Sequence, residues 1–419
     1  MASSSSQVAS VDSKLQQLTK PRLDSVDLVR GLVMVIMALD HTREFFTYSR
    51  TLPEDLATAN LAYFLTRWIT HFCAPTFFFL AGTGAFLSAS RGKKIGEVAS
   101  FLAKRGAWLI LLEFTLVDIG FSFVPGMIFA GVIYSIGICM IVLALLVRLP
   151  TKWIAVIGVS GIVLHHLLDG VKPETFGKLG FVWELLHRPG FIMIKPPNVF
   201  FVNLYVIIPW CFVMAAGYAF GQLLLRERAE RRRWVFSLGA LATALFLLLR
   251  FTNWYGNPPA DAVMIPFTAG PYIPQPTFSQ SLMHFLNVCK YPPSLQFLLM
   301  TLGPALMLMA WFDGIDLNAR RNWLWQKIVI YGRVPMFYYI LHIWLIHCLA
   351  IVVATFTGQS QRWLWHGGMF AGPGPNDRYG YGLPMVYLMW IVVVVLLYPV
   401  CAWFARYKQT HKQWWLRYL

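Results

Sequence analysis

Ten long apolar segments constrain this chain more than any other feature of its sequence. A helix needs about 20 apolar residues to cross the hydrocarbon core of a bilayer. Backbone polar groups have no water to bond there, so segments of this length predict transmembrane helices. The sequence places the ten segments near 26–46, 70–89, 103–124, 127–147, 152–169, 200–224, 234–251, 294–312, 328–355 and 383–405.

Composition supports an all-α polytopic membrane protein. Of the 419 residues, 57% are hydrophobic and 13% are charged, and the mean hydropathy is +0.57, whereas soluble domains carry about 25% charged residues. A net charge of +16 could suggest nucleic acid. The basic residues lie between apolar segments, however, and no basic soluble domain is available to bind nucleic acid. We therefore expect the lipid bilayer as a partner, and no nucleic acid.

The distribution of Lys and Arg predicts the orientation. If the N-terminus is cytoplasmic, 22 of the 35 basic residues fall on the cytoplasmic side and 11 on the outer side, with two inside spans. Cytoplasmic loops carry an excess of basic residues. This predicts about ten transmembrane helices in the inner (cytoplasmic) membrane, with both termini cytoplasmic. Three long loops, at about 170–199, 252–293 and 356–382, then face outward, where such loops usually cover a site.

The chain divides into three parts. Residues 1–21 are polar, have no apolar stretch typical of a signal peptide, and are expected to form a disordered cytoplasmic tail. Residues 22–407 form the transmembrane domain, and 408–419 form a basic cytoplasmic tail. The six cysteines have neither the paired spacing of a metal site nor that of a disulfide framework. We interpret them as small buried hydrophobic residues.

Ionisable residues within the predicted spans mark the candidate site, since such residues are costly in a bilayer and usually functional. Asp40 and His41 end the first span, His71 opens the second and His342 lies in the ninth. In the predicted topology the first three residues lie in the outer half of the membrane, and His342 lies at the centre of its span. Four further residues have a similar depth, namely Asp118, His165, His166 and His347. The set predicts a shared functional cavity, although any single histidine could equally be structural.

Histidine suits proton transfer, because its ordinary pKa near 6.5 lets it accept and release protons at neutral pH. A metal site is the competing use. His342 and His347 point about 140° apart on a helix, and no HExxH or Cys–His cluster accompanies them, so we expect no metal. Asp40 and His41 point about 100° apart. Asp40 is therefore expected to orient His71 or bind substrate, not to hold His41.

Two other patterns have structural explanations. The glycines in GTGAF, around Gly82, and in AAGYAFG, around Gly217, have the small-xxx-small spacing typical of helix packing. The run RERAERRR, at 226–233, is typical of a topology anchor. Binding of phosphates or anionic lipid is its alternative function.

Six stretches together resemble the heparan-alpha-glucosaminide N-acetyltransferase family and its bacterial relatives. They are RLDSVDLVRGLVMVIMALDH (22–41), WITHFCAPTFFFLAGTGAFL (68–87), GVIYSIGI (131–138), NLYVIIPWCFVMAAGYAFG (203–221), KYPPSLQFLLMTLGPALMLMAWFD (290–313) and GRVPMFYYILHIWLIH (332–347). The stretches span nearly the whole chain. The Arg-Gly pair followed ten residues later by His41 also resembles membrane O-acyltransferases that modify bacterial surface polysaccharides.

The resemblance implies that residues 22–407 are a transmembrane acyltransferase domain. Such an enzyme takes an acyl group, acetyl in this family, from cytoplasmic acyl-CoA. It transfers the group to a hydroxyl or amine of a sugar or other acceptor on the far side. The runner-up hypothesis is a proton-coupled transporter or flippase that uses the same His and Asp residues. The sequence leaves open whether the protein forms a homodimer.

The resemblance also assigns roles to residues. The phosphates of acyl-CoA would meet Lys104 and Arg105, with Arg30 and Arg333 deeper in the membrane. His41, or else His71, would deprotonate the acceptor for direct attack on the thioester. Two residues, Asp40 and His342, would position acceptor and base.

The chain departs from the lysosomal enzyme at the proposed base. That enzyme's signature has Asn where this chain has His41, and its catalytic histidine lies in the loop before the second span. The matching region here, 54–68, has no histidine, and His71 aligns with an Asp. We therefore do not expect heparan glucosaminide specificity, and we reassign the base to His41.

Overall fold

The computed structural model describes residues 23–48, 52–124, 128–195, 199–258, 269–368, 372–374 and 377–418. The predicted tail 1–21 lies outside these residues, and so do positions 259–268 of the proline-rich stretch 257–276. Helices account for most of the described chain. In order they are α1 (Asp24–Phe46), α2 (Leu61–Trp68), α3 (Cys73–Ala89), α4 (Ile95–Leu112), α5 (Asp118–Ser122), α6 (Val132–Leu146), α7 (Thr151–Leu164), α8 (Gly180–Leu186), α9 (Ile207–Phe220), α10 (Arg228–Thr252), α11 (Phe278–Leu286), α12 (Leu295–Phe312), α13 (Trp323–Arg333), α14 (Pro335–Phe356), α15 (Arg362–Trp365) and α16 (Leu383–Thr410).

Helix α1 is the centre of the bundle. It packs against α3, α12, α13, α14 and α16, and most of its side chains are buried. A second set of helices builds outward from this centre, with α9 packed between α3 and α7, and α4 against α6. The polar end of α1 is thus enclosed by helices that are distant in sequence.

Seven helical segments of the described chain are long and apolar enough to cross a membrane, which makes this a multi-pass membrane protein. They are Leu61–Ala89, Thr151–Leu168, Ile207–Leu225, Arg228–Thr252, Leu295–Phe312, Pro335–Phe356 and Leu383–Thr410. All seven overlap predicted spans.

The other three predicted spans are helical but do not meet the same criterion. Helix α1 carries six Asp, Glu and Arg side chains, which lowers its hydropathy. The third segment is interrupted after α4 by a π-helical turn, Glu113–Val117. The fourth contains only the 15-residue helix α6. The count of ten and the cytoplasmic termini therefore stay predictions.

A small sheet also occupies regions where the sequence predicted loop or span. Its strands are β1 (Ile128–Ala130), β2 (Gly190–Lys195) and β3 (Val199–Asn203), in the order β1-β3-β2. Strand β1 pairs with β3 in parallel and β2 pairs with β3 antiparallel. The helix of the sixth predicted span, α9, therefore begins at Ile207, not at 200 as predicted, because β3 includes residues 200–203.

The glycine-rich stretches allow helices to approach closely, as their spacing predicted. A Cβ atom at Gly82 would lie 1.9 Å from the Met214 carbonyl oxygen, and one at Gly217 would lie 2.0 Å from that of Phe79. Such distances admit only glycine at the crossing of α3 and α9. Thr83 adds a hydrogen bond from its hydroxyl to the Gly217 carbonyl, at 2.9 Å.

The basic run at 226–233 is tied to the end of α12. Arg231 donates from two nitrogens to the Asp313 carboxylate, at 3.0 and 2.9 Å. Arg228 donates to the Asp313 backbone carbonyl, at 2.8 Å from its Nε. Two arginines of the run thus have structural partners within the protein.

Candidate functional site

A pair of histidines joins α1 to α14. Nδ1 of His41 lies 2.7 Å from Nε2 of His342, and Nδ1 of His342 lies 3.0 Å from the Tyr338 carbonyl oxygen. A carbonyl only accepts, so His342 carries its proton on Nδ1 and its Nε2 must accept from His41. Nε2 of a neutral His41 is then left with a free lone pair. The arrangement therefore defines the tautomer of a neutral His41.

Asp40 belongs to a buried network of charges beside this pair. One of its carboxylate oxygens accepts from Arg43, at 3.1 Å, and the other accepts from Arg67. Arg67 also donates to Glu54, at 2.8 Å, and Arg43 to Glu44, at 3.1 Å. Asp40 thus fixes two guanidinium groups and contacts neither His41 nor His71 by a hydrogen bond within the described structure.

His71 lies on the far side of the same network. Its Nε2 is 3.6 Å from an oxygen of Glu54, which is too long for a normal hydrogen bond. Neither ring nitrogen has a hydrogen-bond partner among the described residues, although the side chain is buried. Burial raises the pKa of the Glu54 carboxyl, but the charge of Arg67 and the contact with His71 outweigh it. The pKa of Glu54 therefore lies well below its ordinary value.

A cavity of about 40 Å³ reaches His41, and we call it the histidine cavity. Its polar walls come from the end of α1, the start of α3 and two loops. The residues that line it are Met37, Asp40, His41, Thr70, Cys73, Ala74, Phe77, Val132, Tyr205 and Lys290. A space of this size accepts a few heavy atoms, since a single water needs about 10–15 Å³ by a comparable measure.

A larger cavity of about 330 Å³ lies toward the opposite end of α1, and we call it the arginine cavity. Arg30 and Arg105 are its two cationic lining residues among those described, and the remaining walls are mostly apolar. Phe77 lines both cavities. Along α1, Arg30 and His41 are about 16 Å apart at 1.5 Å per residue. Phe77 therefore lies between a larger cavity lined by two arginines and a small cavity lined by Asp40, His41 and Lys290.

The other predicted donor-binding residues lie outside the arginine cavity. Lys104 is exposed on α4, next to Arg105 in sequence but not in the lining of the arginine cavity. Arg333 pairs with Asp24, at 3.1 Å. Arg30 also donates to the carboxylate of Asp27 and to a backbone carbonyl of α13, each at 3.1 Å.

The remaining intramembrane histidines do not join His41. His347 bonds through its two nitrogens to the carbonyls of Gly120 and Leu364, both at 2.8 Å. His166 lies 2.6 Å from one oxygen of Asp169, and His187 lies 3.1 Å from the other. The shared cavity expected from histidine depth thus contains only part of the set. Depth can be read from sequence, but the rotation of each helix cannot.

Two cysteines near the predicted site differ in their surroundings. Cys73 lines the histidine cavity, and its thiol donates to the Val33 carbonyl across 3.3 Å. Cys348 is exposed on α14. The bond to Val33 keeps a proton on the Cys73 sulfur, which does not favour its use as a nucleophile, because the thiolate is the reactive form.

Three polar residues of the site were missed by sequence reasoning. Glu54 and Lys290 lie in loops, where helical periodicity gives no signal, and Tyr205 follows β3. Lys290 opens the stretch KYPPSLQF, which was noted only for its resemblance. Within the described chain, no three His, Cys, Asp or Glu side chains meet in a way that could hold a metal ion.

The fold and the site together define a multi-pass helical membrane protein in which a histidine pair, His41 and His342, lies beside a small cavity. A family model described as "Heparan-alpha-glucosaminide N-acetyltransferase, catalytic" matches residues 22–254. The match covers more than half of the chain, and the chain therefore belongs to this family of membrane acetyltransferases. A search of curated proteins finds no match to the chain. The matched range includes His41, His71 and Arg105, whereas Lys290 and His342 lie beyond it.

Proposed function

We propose that this protein transfers an acyl group from cytoplasmic acyl-CoA to a hydroxyl or amine of a sugar or similar acceptor on the outer side of the inner membrane. The observation that carries the proposal is the position of Phe77. It lies between a cavity lined by two arginines and a cavity lined by His41. Acyl-CoA has anionic phosphates, a long arm and a reactive thioester at its end. Its phosphates match the arginines of the first cavity, and its thioester matches the histidine of the second.

The arginine cavity suits the arm of acyl-CoA better than its nucleotide. Its volume of about 330 Å³ is at the lower end of the range for ligand pockets, about 300–1,000 Å³. Guanidinium groups bind phosphate oxygens with charge-assisted hydrogen bonds. Arg105 and Arg30 would therefore hold phosphates near the mouth while the arm runs along the apolar walls toward Phe77.

The histidine cavity suits a short acyl group. Its volume of about 40 Å³ leaves room for the few heavy atoms of an acetyl group and not for a long chain. Met37 and Phe77 supply apolar surface beside the polar end of the cavity. This supports acetyl-CoA as the donor.

His41 would act as the general base. Its Nε2 takes the proton of the acceptor hydroxyl or amine while the acceptor atom attacks the thioester carbonyl carbon. The tetrahedral intermediate then collapses, the carbon–sulfur bond breaks, and His41 returns the proton to the thiolate. His342 keeps His41 in the tautomer that this step requires. Asp40, which lines the cavity and accepts from Arg43 and Arg67, would position the acceptor.

The test is acyl transfer by the purified protein in proteoliposomes. Radiolabelled acetyl-CoA is supplied on one side, and release of free CoA and labelling of candidate sugar acceptors are measured. His41→Ala should lower turnover by about 10²–10⁴-fold, the usual contribution of a general base, while binding of CoA stays nearly intact. The matched control is His366→Ala, since His366 is exposed in the described structure.

Two outcomes would contradict the proposal. Normal turnover by a folded His41→Ala protein would show that another group is the base. The transporter hypothesis would be favoured if the wild type transferred no acetyl group but took up a solute with protons, and if His41→Ala lost that uptake.

A further inference from the structure

Lys290 is a buried cation that the proposed chemistry has not yet used. The residue is only 7% exposed and lines the histidine cavity together with His41. Its ammonium lies 5.1 Å from the centroid of the Tyr291 ring. The ammonium makes no ion pair or hydrogen bond with the residues that the structure describes.

The nearby carboxylates do not form a hydrogen bond with this cation. Both oxygens of Asp40 accept from guanidinium groups, Arg43 on one side and Arg67 on the other. Glu54 accepts from Arg67 as well, at 2.8 Å. A buried charge without a hydrogen-bonded partner is costly, and such residues concentrate at functional sites.

The backbone around Lys290 is held in place. Ser294 donates its backbone N–H to the Cys289 carbonyl, at 3.0 Å. Just upstream, the fully buried Arg250 donates to the backbone carbonyls of His284, Phe285 and Asn287, at 2.6–2.9 Å. A charged donor on a fixed loop is preorganised, which is the property that makes electrostatic stabilisation of a transition state effective.

We propose that the ammonium of Lys290 binds the oxyanion that forms when the acceptor attacks the thioester. This inference rests on the proposed acyl transfer. His41 and Lys290 line the same cavity of about 40 Å³, so a thioester carbonyl bound there for attack beside His41 would have its oxygen within reach of the Lys290 ammonium. As the new bond to carbon forms, the carbonyl π electrons move to that oxygen, and Lys290 donates to it. The electrons on that oxygen form the carbonyl π bond again when the carbon–sulfur bond breaks and the thiolate leaves.

The test compares two CoA derivatives by calorimetry or by displacement of a labelled donor. S-ethyl-CoA has no carbonyl oxygen. S-(trifluoroacetonyl)-CoA has an activated ketone that adds water to give a tetrahedral gem-diol, which becomes anionic when one of its hydroxyls loses a proton to His41. In the wild type the ketone should bind more tightly than the thioether. In Lys290→Met this advantage should fall by about 10²–10³-fold, the usual loss for one oxyanion donor, while the affinity for S-ethyl-CoA stays unchanged.

The control is Lys178→Met, an exposed lysine of the same charge, which should keep the full advantage. If Lys290→Met does not fold, Lys290→Gln retains an N–H donor without the charge and should show an intermediate advantage. An equal loss of affinity for both compounds would give Lys290 a structural role and overturn the proposal. An unchanged advantage with a raised KM for the acceptor would assign the ammonium to acceptor binding and overturn it too. A wild type that binds neither compound would instead contradict the proposed acyl-CoA donor.

Discussion

The tautomer of His41 depends on a partner 301 residues away in sequence. His342 presents an unprotonated Nε2 because its Nδ1 is committed to the Tyr338 carbonyl. Replacing His342 by Ala frees His41 to rotate and to change tautomer. We expect turnover of His342→Ala to fall, but by less than the 10²–10⁴-fold loss typical of removing the base itself.

A graded series tests this positioning role. His342→Gln can offer an amide oxygen as acceptor to Nδ1 of His41, so it should retain more turnover than His342→Ala at equal affinity for CoA. A merely structural histidine would not distinguish the two variants once both are folded. Equal turnover of Gln and Ala variants would contradict the role given to the pair.

Glu54 supplies a prediction about pH. Its folded-state pKa is depressed below its ordinary value of about 4.5, and a depressed carboxyl pKa stabilises the fold above the unfolded value. This stabilisation is lost as the pH falls through the folded value. The difference in thermal midpoint between wild type and Glu54→Gln should therefore be constant from pH 8 to about 5 and should shrink below about 4.5. Thermal unfolding in detergent from pH 8 to 3.5 measures it, and a difference that grows on acidification would contradict the ion pair with Arg67.

Single residues also show what the sequence can predict. Asp40, His41 and His342 were found because ionisable groups stand out within apolar helices. Glu54 and Lys290 were missed because each lies in a polar loop, where a charged side chain is ordinary. Glu54 and Lys290 are unusual only because their loops fold back into the bundle and bury them. A sequence pattern does not show that burial.

At the scale of elements, helix α4 places two adjacent cations in different environments. Arg105 lines the arginine cavity, whereas Lys104 is exposed. If Arg105 meets a phosphate of acyl-CoA, Arg105→Ala should raise the KM for acetyl-CoA about tenfold or more with little change in kcat. A charged hydrogen bond contributes about 1.5–3 kcal/mol, whereas an exposed charge contributes about 0–1 kcal/mol.

Lys104→Ala is the matched control and should change the KM little. The salt dependence of donor binding should weaken in Arg105→Ala alone, since screening acts on the charge that is in contact. Unchanged KM in both variants would move the phosphate site elsewhere. The run at 226–233 is a poor substitute, because Arg228 and Arg231 already bind Asp313.

The helices agree with the predicted spans where a long apolar run determines the structure. They differ from the prediction where a local turn or strand interrupts such a run. Helices α10, α12 and α16 lie on predicted spans, since long apolar runs have few alternatives in a bilayer. The third predicted span is broken at Glu113, whose carboxylate accepts the backbone N–H of Tyr134 at the start of α6. The strands β2 and β3 were not predicted, because residues 190–195 fall in a predicted loop and residues 200–203 belong to an apolar run that predicts a span.

At the scale of the whole molecule, the positions of the two cavities along α1 support the proposed direction of transfer. Arg30 lies near the start of α1 and His41 near its end, so the arginine cavity and the histidine cavity lie toward opposite ends of this helix. The basic residues favour a cytoplasmic location for the start of α1, by 22 to 11. A donor confined to the cytoplasm and an acceptor outside can then meet without either crossing the membrane.

This orientation can be tested by labelling introduced cysteines with a membrane-impermeant maleimide. The background is Cys348→Ser, because Cys348 is the exposed native thiol of the described chain. Cysteines at positions 172 and 366, both exposed on predicted outer loops, should label in intact cells. A cysteine at position 229, exposed next to the basic run, should label only after permeabilisation, since that run is expected to be cytoplasmic. The Cys348→Ser background should stay unlabelled in both conditions. The reverse pattern would place the arginine cavity on the outer side, where acyl-CoA is absent, and the proposed direction of transfer would be wrong.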